Sequence, residues 1–447
     1  MTNRYLEGAY GPVHEEVTAR DLPVTGTIPD WLDGRYLRNG PNPLLEQDPA
    51  TYHWFTGDGM VHGVRLRDGR ADWYRNRWVR SRAVAEALGE TWPEGPVHAE
   101  MDFGPNTNVI GQAGRTFAIV ESGARPYELT DELDTVGPSD LGGTLPGGYT
   151  AHPKRDPQTG ELHAVSYHWA WGEQVQYTVI GTDGLVRKVV DIPVTGSPML
   201  HDCSLTESSV LIYDLPVDFD IDLAMGGSTF PYRWFADQPA RVGVLPRDGG
   251  ADDVTWFDID PCYVFHPMNA YDDGDRIVAD VVRHPKMFDA HRLGPDEGTP
   301  TLDRWTFDLS NGKVIEERLD DRGQEFPRVD ERLVGRRHRF GYSVGFVEEG
   351  DGGRGLGDNA LFRHDLDGGR TQTRTLGDAT TVGEFVHVAP EGGAEDAGVV
   401  MGIAYDSGAD RSDLVLLDAA TLEDVARVAL PQRVPHGFHG NWIPTGQ

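Results

Sequence analysis

The chain has 447 residues, with 40 Lys and Arg against 72 Asp and Glu, a formal net charge of −32. A field of that sign repels nucleic acid and anionic lipid head groups, which leaves neutral or apolar ligands favoured. Hydrophobic residues make up 38% of the chain and recur along its whole length, enough to bury a large core and to exclude a disordered chain.

The amino terminus, Met1-Thr2-Asn3-Arg4-Tyr5, lacks the apolar centre of a signal peptide, and no uncharged apolar run approaches a bilayer-spanning length. A cytoplasmic protein is the expectation. No shift in composition marks a boundary, so residues 1–447 read as one domain.

In chain order, helical periodicity is convincing only over Ser81 to Leu88. Strand signals dominate from there. His163 to Trp169 is a strand candidate, and Val175 to Ile180 turns at Gly181-Thr182-Asp183-Gly184 into Leu185 to Val190 as a hairpin. Val210 to Leu215 follows, then Leu223 to Phe235, which is unusually apolar for a loop and reads as a greasy entrance with peripheral membrane contact. Arg276 to Val282 precedes a second hairpin, in which Trp305 to Leu309 turns at Ser310-Asn311-Gly312 into Lys313 to Glu316. Val399 to Tyr405 and Leu414 to Leu417 complete the strand series, and the acidic, glycine-rich stretches Glu348 to Asp358 and Glu391 to Ala397 read as solvated loops. Short strands punctuated by 55 glycines and 30 prolines define an all-β class, and repeated meanders suit a propeller better than a sandwich.

Four histidines stand out: His152, His201, His266 and His439. Glu325 and Glu384 fall in the gap between the last two, and the steps through positions 152, 201, 266, 325, 384 and 439 are 49, 65, 59, 59 and 55 residues. Propeller blades of four strands recur at about 40 to 50 residues, so one inward-pointing polar residue per blade is the natural reading. Four imidazoles gathered at one point would form a ligand cage for iron, zinc, copper or nickel. Cys203 and Cys262 lie near two of these histidines and raise a zinc alternative, but the tight pairs of a Cys/His zinc site are absent and buried inert thiols are the better reading.

Several segments together carry a resemblance. They are Gly34-Arg35-Tyr36-Leu37-Arg38-Asn39-Gly40-Pro41-Asn42-Pro43, then His53-Trp54-Phe55-Thr56-Gly57-Asp58-Gly59-Met60-Val61-His62-Gly63, then Asn106-Thr107-Asn108-Val109-Ile110. Thr150-Ala151-His152-Pro153, Met199-Leu200-His201-Asp202, Val264-Phe265-His266-Pro267, Glu325-Phe326-Pro327-Arg328, Gly383-Glu384 and Gly437-Phe438-His439-Gly440 follow in order. In these segments the chain resembles the carotenoid cleavage oxygenase family, nearly end to end.

The resemblance implies a seven-bladed β-propeller with loops and short helices capping one face, and iron(II) on its axis held by His152, His201, His266 and His439. It also implies that Glu121, Glu325 and Glu384 stand behind His201, His266 and His439 respectively, accepting the far ring N–H and so fixing tautomer and orientation. The implied reaction inserts dioxygen across a conjugated double bond of a carotenoid or apocarotenoid to give two carbonyl products. Cleavage of a stilbene or another phenylpropenoid is the alternative. In stilbene-cleaving relatives a phenol-gripping lysine precedes the glutamate, and here that position is Val120, which favours a lipophilic hydrocarbon substrate. By the same family pattern His436 is not a ligand, and His53 and His62 are structural hydrogen-bonders. His163, His168, His284, His291, His338, His364 and His387 carry no special expectation.

Overall fold

Glycine turns join short β-branched and aromatic runs into meanders, so each strand pairs with its chain neighbour before any distant one. The computed structural model, which describes residues 2–295, 297–348 and 354–446, arranges these meanders as a seven-bladed β-propeller of antiparallel sheets. Blade 1 runs outward from Gly440–Pro444 through Gly34–Pro41, Gly59–Arg67 and Arg70–Trp78 to Thr18–Arg20. Blades 2 to 6 begin at Asn108–Gln112, Lys154–Arg155, Cys203–Leu205, Pro267–Asp273 and Gln324–Arg328, each followed by three further strands. Blade 7 begins at Thr380–Val388 and ends with the early strand Val24–Gly26 at its rim.

The ring therefore closes twice. The last strand, Gly440–Pro444, supplies the inner edge of blade 1, while Val24–Gly26 pairs with Asp424–Ala429 at the outer edge of blade 7. Alternating strand residues face the neighbouring blades, and the core lies in the wedges between them. The largest cluster joins blades 3, 4 and 5 through residues such as Tyr177, Ile212, Leu245, Trp305 and Phe307. Another links blades 7 and 1 through Leu414, Leu416, Tyr36 and Tyr74. Ile443, in the closing strand, packs with Leu37, Val109 and Tyr127, which fastens blade 1 to blade 2.

Both hairpins form as the sequence dictates, at Gln174–Ile180 with Val186–Pro193 and at Thr301–Asp308 with Lys313–Asp320. The helix α1 spans Arg82–Leu88, with the Ser81 hydroxyl accepting from the Val84 N–H. Three expectations are corrected. The strand read over His163 to Trp169 is Leu162–Tyr167, because Trp169–Trp171 winds into a 3₁₀ turn. Leu223 to Phe235 is not a plain loop: it holds most of a short helix, α2 (Ile221–Met225), and the strand Tyr232–Trp234, paired with Val217–Phe219 as a separate ribbon on blade 4. In the stretch Glu348 to Asp358, residues 349–353 lie outside the described residues, and the flanks are strand ends of Phe340–Glu348 and Arg354–Asp365. Glu391 to Ala397 is a turn-rich loop, though Glu395 accepts the backbone N–H groups of Arg339 and Phe340 and so pins the loop down.

If the closing strand holds the ring, Ile443→Ala should cost about 2–4 kcal/mol, the usual loss for a buried Ile truncated to Ala. Urea unfolding should show this as a lowered midpoint. A midpoint unchanged from the parent chain would show that closure does not rest on this strand.

Candidate metal centre

Six of the seven inner strands carry one polar residue at the axis or have it within two residues of their start. His152 precedes Lys154–Arg155 of blade 3, His201 precedes Cys203–Leu205 of blade 4, His266 precedes Pro267–Asp273 of blade 5, and His439 precedes Gly440–Pro444 of blade 1. Glu325 and Glu384 lie within the inner strands of blades 6 and 7. The 49- to 65-residue series is thus one position per blade in six successive blades. Glu121 stands off that series, just after the second strand of blade 2, Arg115–Ile119.

Irregularities in strand pairing aim these side chains. Register shifts fall between Pro267 and Asn269, between Glu325 and Arg328, and between Val382 and Phe385, directly beside His266, Glu325 and Glu384. Left-handed backbone at Ser122 and Phe326 immediately follows Glu121 and Glu325, a costly conformation that non-glycine residues hold only where the surroundings impose it.

The loops carrying two of the histidines are tied down by buried asparagine amides. Asn39 Nδ2 donates to the Pro105 and Asn108 carbonyls, and Asn108 Nδ2 donates to the Ala151 carbonyl next to His152. The His439 N–H donates to the Thr107 carbonyl, and the Asn39 N–H to the His439 carbonyl. This docking needs backbone on backbone: a Cβ on Gly437 would lie 2.6 Å from the Gly40 Cα. The Asn39-Gly40 and Asn106-Thr107-Asn108 motifs are therefore the cradle of the histidine loops.

All four histidines are buried, and among the described residues they form a group whose ring nitrogens lie within 4.8 Å of one another. Three are backed by carboxylates: His201 Nδ1 is 2.8 Å from Glu121 Oε1, His266 Nδ1 is 2.6 Å from Glu325 Oε2, and His439 Nδ1 is 3.0 Å from Glu384 Oε1. A carboxylate accepts only, so the Nδ1 of His266 and of His439, each hydrogen-bonded to its glutamate, carries the proton and the Nε2 presents a lone pair, while His201 Nδ1 lies at ion-pair distance from Glu121 without hydrogen-bond geometry. Those lone pairs meet: Nε2 of His266 is 3.3 Å from that of His201 and 3.2 Å from that of His439. Facing lone pairs repel, and a cation between them is what this donor set fits.

Electrostatics agrees. Burial pushes His439 down to about 3, and burial together with the neighbouring rings pushes His152 well below its ordinary value, so both are neutral ligands-in-waiting. Burial alone would raise the Glu325 and Glu384 carboxyls, but the paired rings, and Arg328 beside Glu384, hold both below the usual carboxylate range. Arg328 forks onto Glu384 at 2.8 and 3.1 Å. Glu121 accepts from the Tyr167 hydroxyl at 2.9 Å, and Glu325 also accepts from His284 Nε2 at 2.8 Å. Three carboxylates thus meet one directly bonded cation, and a dication completes the balance.

His284, Tyr167 and Arg328 were not picked out as partners by sequence reasoning; of these, only Arg328 lies inside a motif that signalled it. His436 stands apart from the group, with Nε2 2.8 Å from the Thr381 hydroxyl. His53 Nδ1 accepts from the Phe55 N–H, and His62 Nδ1 sits 2.9 Å from the Tyr74 hydroxyl. Cys203 and Cys262 are buried outside the cage with thiols pushed up to about 12 by burial, inert at neutral pH.

A cavity of about 660 Å³ reaches His201, His266 and His439. Its lining includes Phe55, Val120, Phe230, Phe265 and Phe326. A volume of this size with few polar groups suits a lipophilic small molecule. A second cavity of about 330 Å³ reaches His152, and Lys154 and Asp202 line it.

The family model described as retinal pigment epithelial membrane protein matches residues 10–444. A carotenoid cleavage oxygenase of Mycobacterium tuberculosis is 54% identical, with 99% of this chain and 98% of that protein covered. A carotenoid 9,10(9',10')-cleavage dioxygenase of Crocus sativus is 30% identical over 98% of this chain and 89% of its own length. Among solved structures, the lignostilbene dioxygenase of Pseudomonas brassicacearum has a TM-score of 0.89 at 26% identity, covering 99% of both chains. Cobalt-substituted apocarotenoid oxygenase of Synechocystis has a TM-score of 0.87 at 25% identity, covering 97% of both.

The buried histidines set a pH dependence. Burial, with nearby arginines, pushes His53, His62 and His436 down to about 3, against 6.5 in the unfolded chain. Below about pH 6.5 the unfolded chain binds protons that the folded chain refuses, so stability is full above that pH and drains as pH falls towards 3. Glu325 and Glu384 add a second loss below their unfolded value of 4.5. Urea midpoints of metal-free protein should fall steadily from pH 7 to pH 4. A flat profile over that interval would contradict the burial of neutral imidazoles.

Proposed function

The chain belongs to the carotenoid oxygenase family, and on that footing we propose that it is a non-haem iron(II) dioxygenase that cleaves a conjugated double bond of a carotenoid or apocarotenoid into two carbonyl products. The observation that carries this reading is the convergence of His152, His201, His266 and His439 beside an apolar cavity. These four would hold the ion, and Glu121, Glu325 and Glu384 would orient three of them and raise their basicity. When bound, iron(II) would supply a redox-active centre for dioxygen, with electrons drawn from the conjugated substrate. The whole chain acts in this reading as one propeller unit, since its two ends complete blades 1 and 7.

The cavity supports a polyene. Val120 is 7% exposed and lines it directly before Glu121, and the phenylalanines around it reward buried area at about 25 cal/mol per Å². The overall likeness to a lignostilbene dioxygenase keeps stilbene cleavage as the second reading, but an apolar side chain at Val120 offers a phenolate no partner. The segment around α2 supports a route from a membrane surface: Ile221 and Met225 are 59% and 82% exposed and both line the cavity. Among the described residues no helix is long and apolar enough to cross a membrane.

Purified protein should carry about one iron per chain, consume dioxygen, and yield aldehydes from an apocarotenal or carotenoid, with little turnover of hydroxystilbenes. His152→Ala, His201→Ala, His266→Ala and His439→Ala should each abolish activity, and Glu121→Gln, Glu325→Gln and Glu384→Gln should each lose roughly 10- to 100-fold in metal affinity or rate. Stoichiometric zinc with oxygen-independent turnover would overturn the dioxygenase reading. Val120→Lys should disfavour the polyene by burying an unpaired charge, whereas efficient cleavage of hydroxystilbenes by the parent chain, with carotenoids untouched, would reverse the substrate ranking. Replacing Ile221 and Met225 with Asp should weaken co-sedimentation with neutral phosphatidylcholine vesicles. Equal binding by parent and variant would remove the membrane route.

A further inference from the structure

The four imidazoles are not backed equally. His201, His266 and His439 have a carboxylate oxygen 2.6 to 3.0 Å from Nδ1, whereas the nearest carboxylate oxygen to His152 Nδ1 is Asp202 Oδ2 at 3.7 Å, beyond hydrogen-bonding range. That oxygen is already taken: Lys154 Nζ donates to it at 2.7 Å. The other oxygen, Asp202 Oδ1, accepts the Cys203 N–H at 2.6 Å. Asp202 is 3% exposed, and Lys154, two residues after His152, holds it from the inner strand of blade 3. The backbone bond fixes one end of the carboxylate and the ammonium fixes the other, and in that pose Oδ2 stands 3.7 Å from the imidazole nitrogen.

We infer that Lys154 is a positioning residue that keeps Asp202 off His152, so that His152 enters the cage as a weaker, uncharged donor beside three carboxylate-backed ones. The inference rests on the metal-centre reading given above. Its physical content is that anionic backing raises imidazole basicity, and a dication surrounded by four such donors would be bound more tightly than one with three. Without Lys154, Asp202 Oδ2 loses its ammonium partner and faces His152 Nδ1 at 3.7 Å, somewhat beyond hydrogen-bonding range. A small side-chain rotation closes that gap.

Cobalt(II) titration of the metal-free protein, read by affinity and by the d–d absorption bands, tests this without any turnover assay. Lys154→Met should tighten cobalt by up to about 10-fold and shift the bands, because Asp202 turns to His152. The double variant Lys154→Met with Asp202→Asn should return both readouts to those of the parent chain, since the native pair makes no bond to the ring, whereas Glu325→Gln in the same assay should lose roughly 10- to 100-fold. A change in affinity with unshifted bands in Lys154→Met would show a bare charge effect and overturn the inference. Loss of cobalt by the double variant on the scale of Glu325→Gln would also overturn it, by making Asp202 a true partner of His152. If Lys154→Met does not fold, the double variant, which buries no unpaired charge, decides alone. A failed metal-centre reading is distinguishable: the parent chain would then bind no cobalt at all.

Discussion

The structure depends on one constraint, that four buried imidazoles be held with a ring nitrogen of each gathered at a single point in the interior. Such an arrangement is unfavourable for a bare chain, because the lone pairs repel and the carboxylates behind them are removed from water. Only a framework stiffer than the repulsion holds it. A ring of seven blades closed by Gly440–Pro444 provides that stiffness, since the strand directly after His439 is hydrogen-bonded to Gly34–Pro41 at the opposite end of the chain. The buried amides of Asn39 and Asn108 then fix the histidine loops relative to one another.

The outer partners of the cage differ in kind. Glu121 is met by a phenol, Glu325 by a second imidazole, and Glu384 by a guanidinium. For Glu325 and Glu384 the partner holds the carboxylate and the carboxylate holds an imidazole ring, so orientation is imposed through two layers of hydrogen bonds. The layers also differ in charge: Glu384 faces the guanidinium of Arg328, whereas Glu121 faces the uncharged Tyr167 hydroxyl. A pseudo-symmetric fold thus produces an asymmetric centre.

The same fold separates the polar axis from an apolar approach. The ribbon Val217–Phe219 with Tyr232–Trp234 and the helix between them rise from blade 4, and Phe230 beneath them stacks on His53 with ring centroids 3.9 Å apart. His53 is thereby a wall of the aromatic shelter over the cavity rather than a ligand. The chain's net charge of −32 disfavours anions, and the apolar lining is of the kind that suits an uncharged, apolar occupant.

The sequence by itself determined the class, the blade period and the residues at the axis, because hydrophobic alternation and glycine turns are local and one axial residue per inner strand recurs at the blade spacing. The family resemblance also implied the pairing of Glu121 with His201, of Glu325 with His266 and of Glu384 with His439. What only the tertiary structure decided is whatever depends on contacts between blades. His284, Tyr167 and Arg328 serve different glutamates across strand boundaries, and Lys154 reaches Asp202 from another blade. Nothing in their spacing marks them, since a histidine or lysine reads the same in sequence whether it faces a carboxylate or solvent. The fold of Leu223 to Phe235 was likewise illegible, because an apolar run without clean periodicity takes its shape from the cavity it covers.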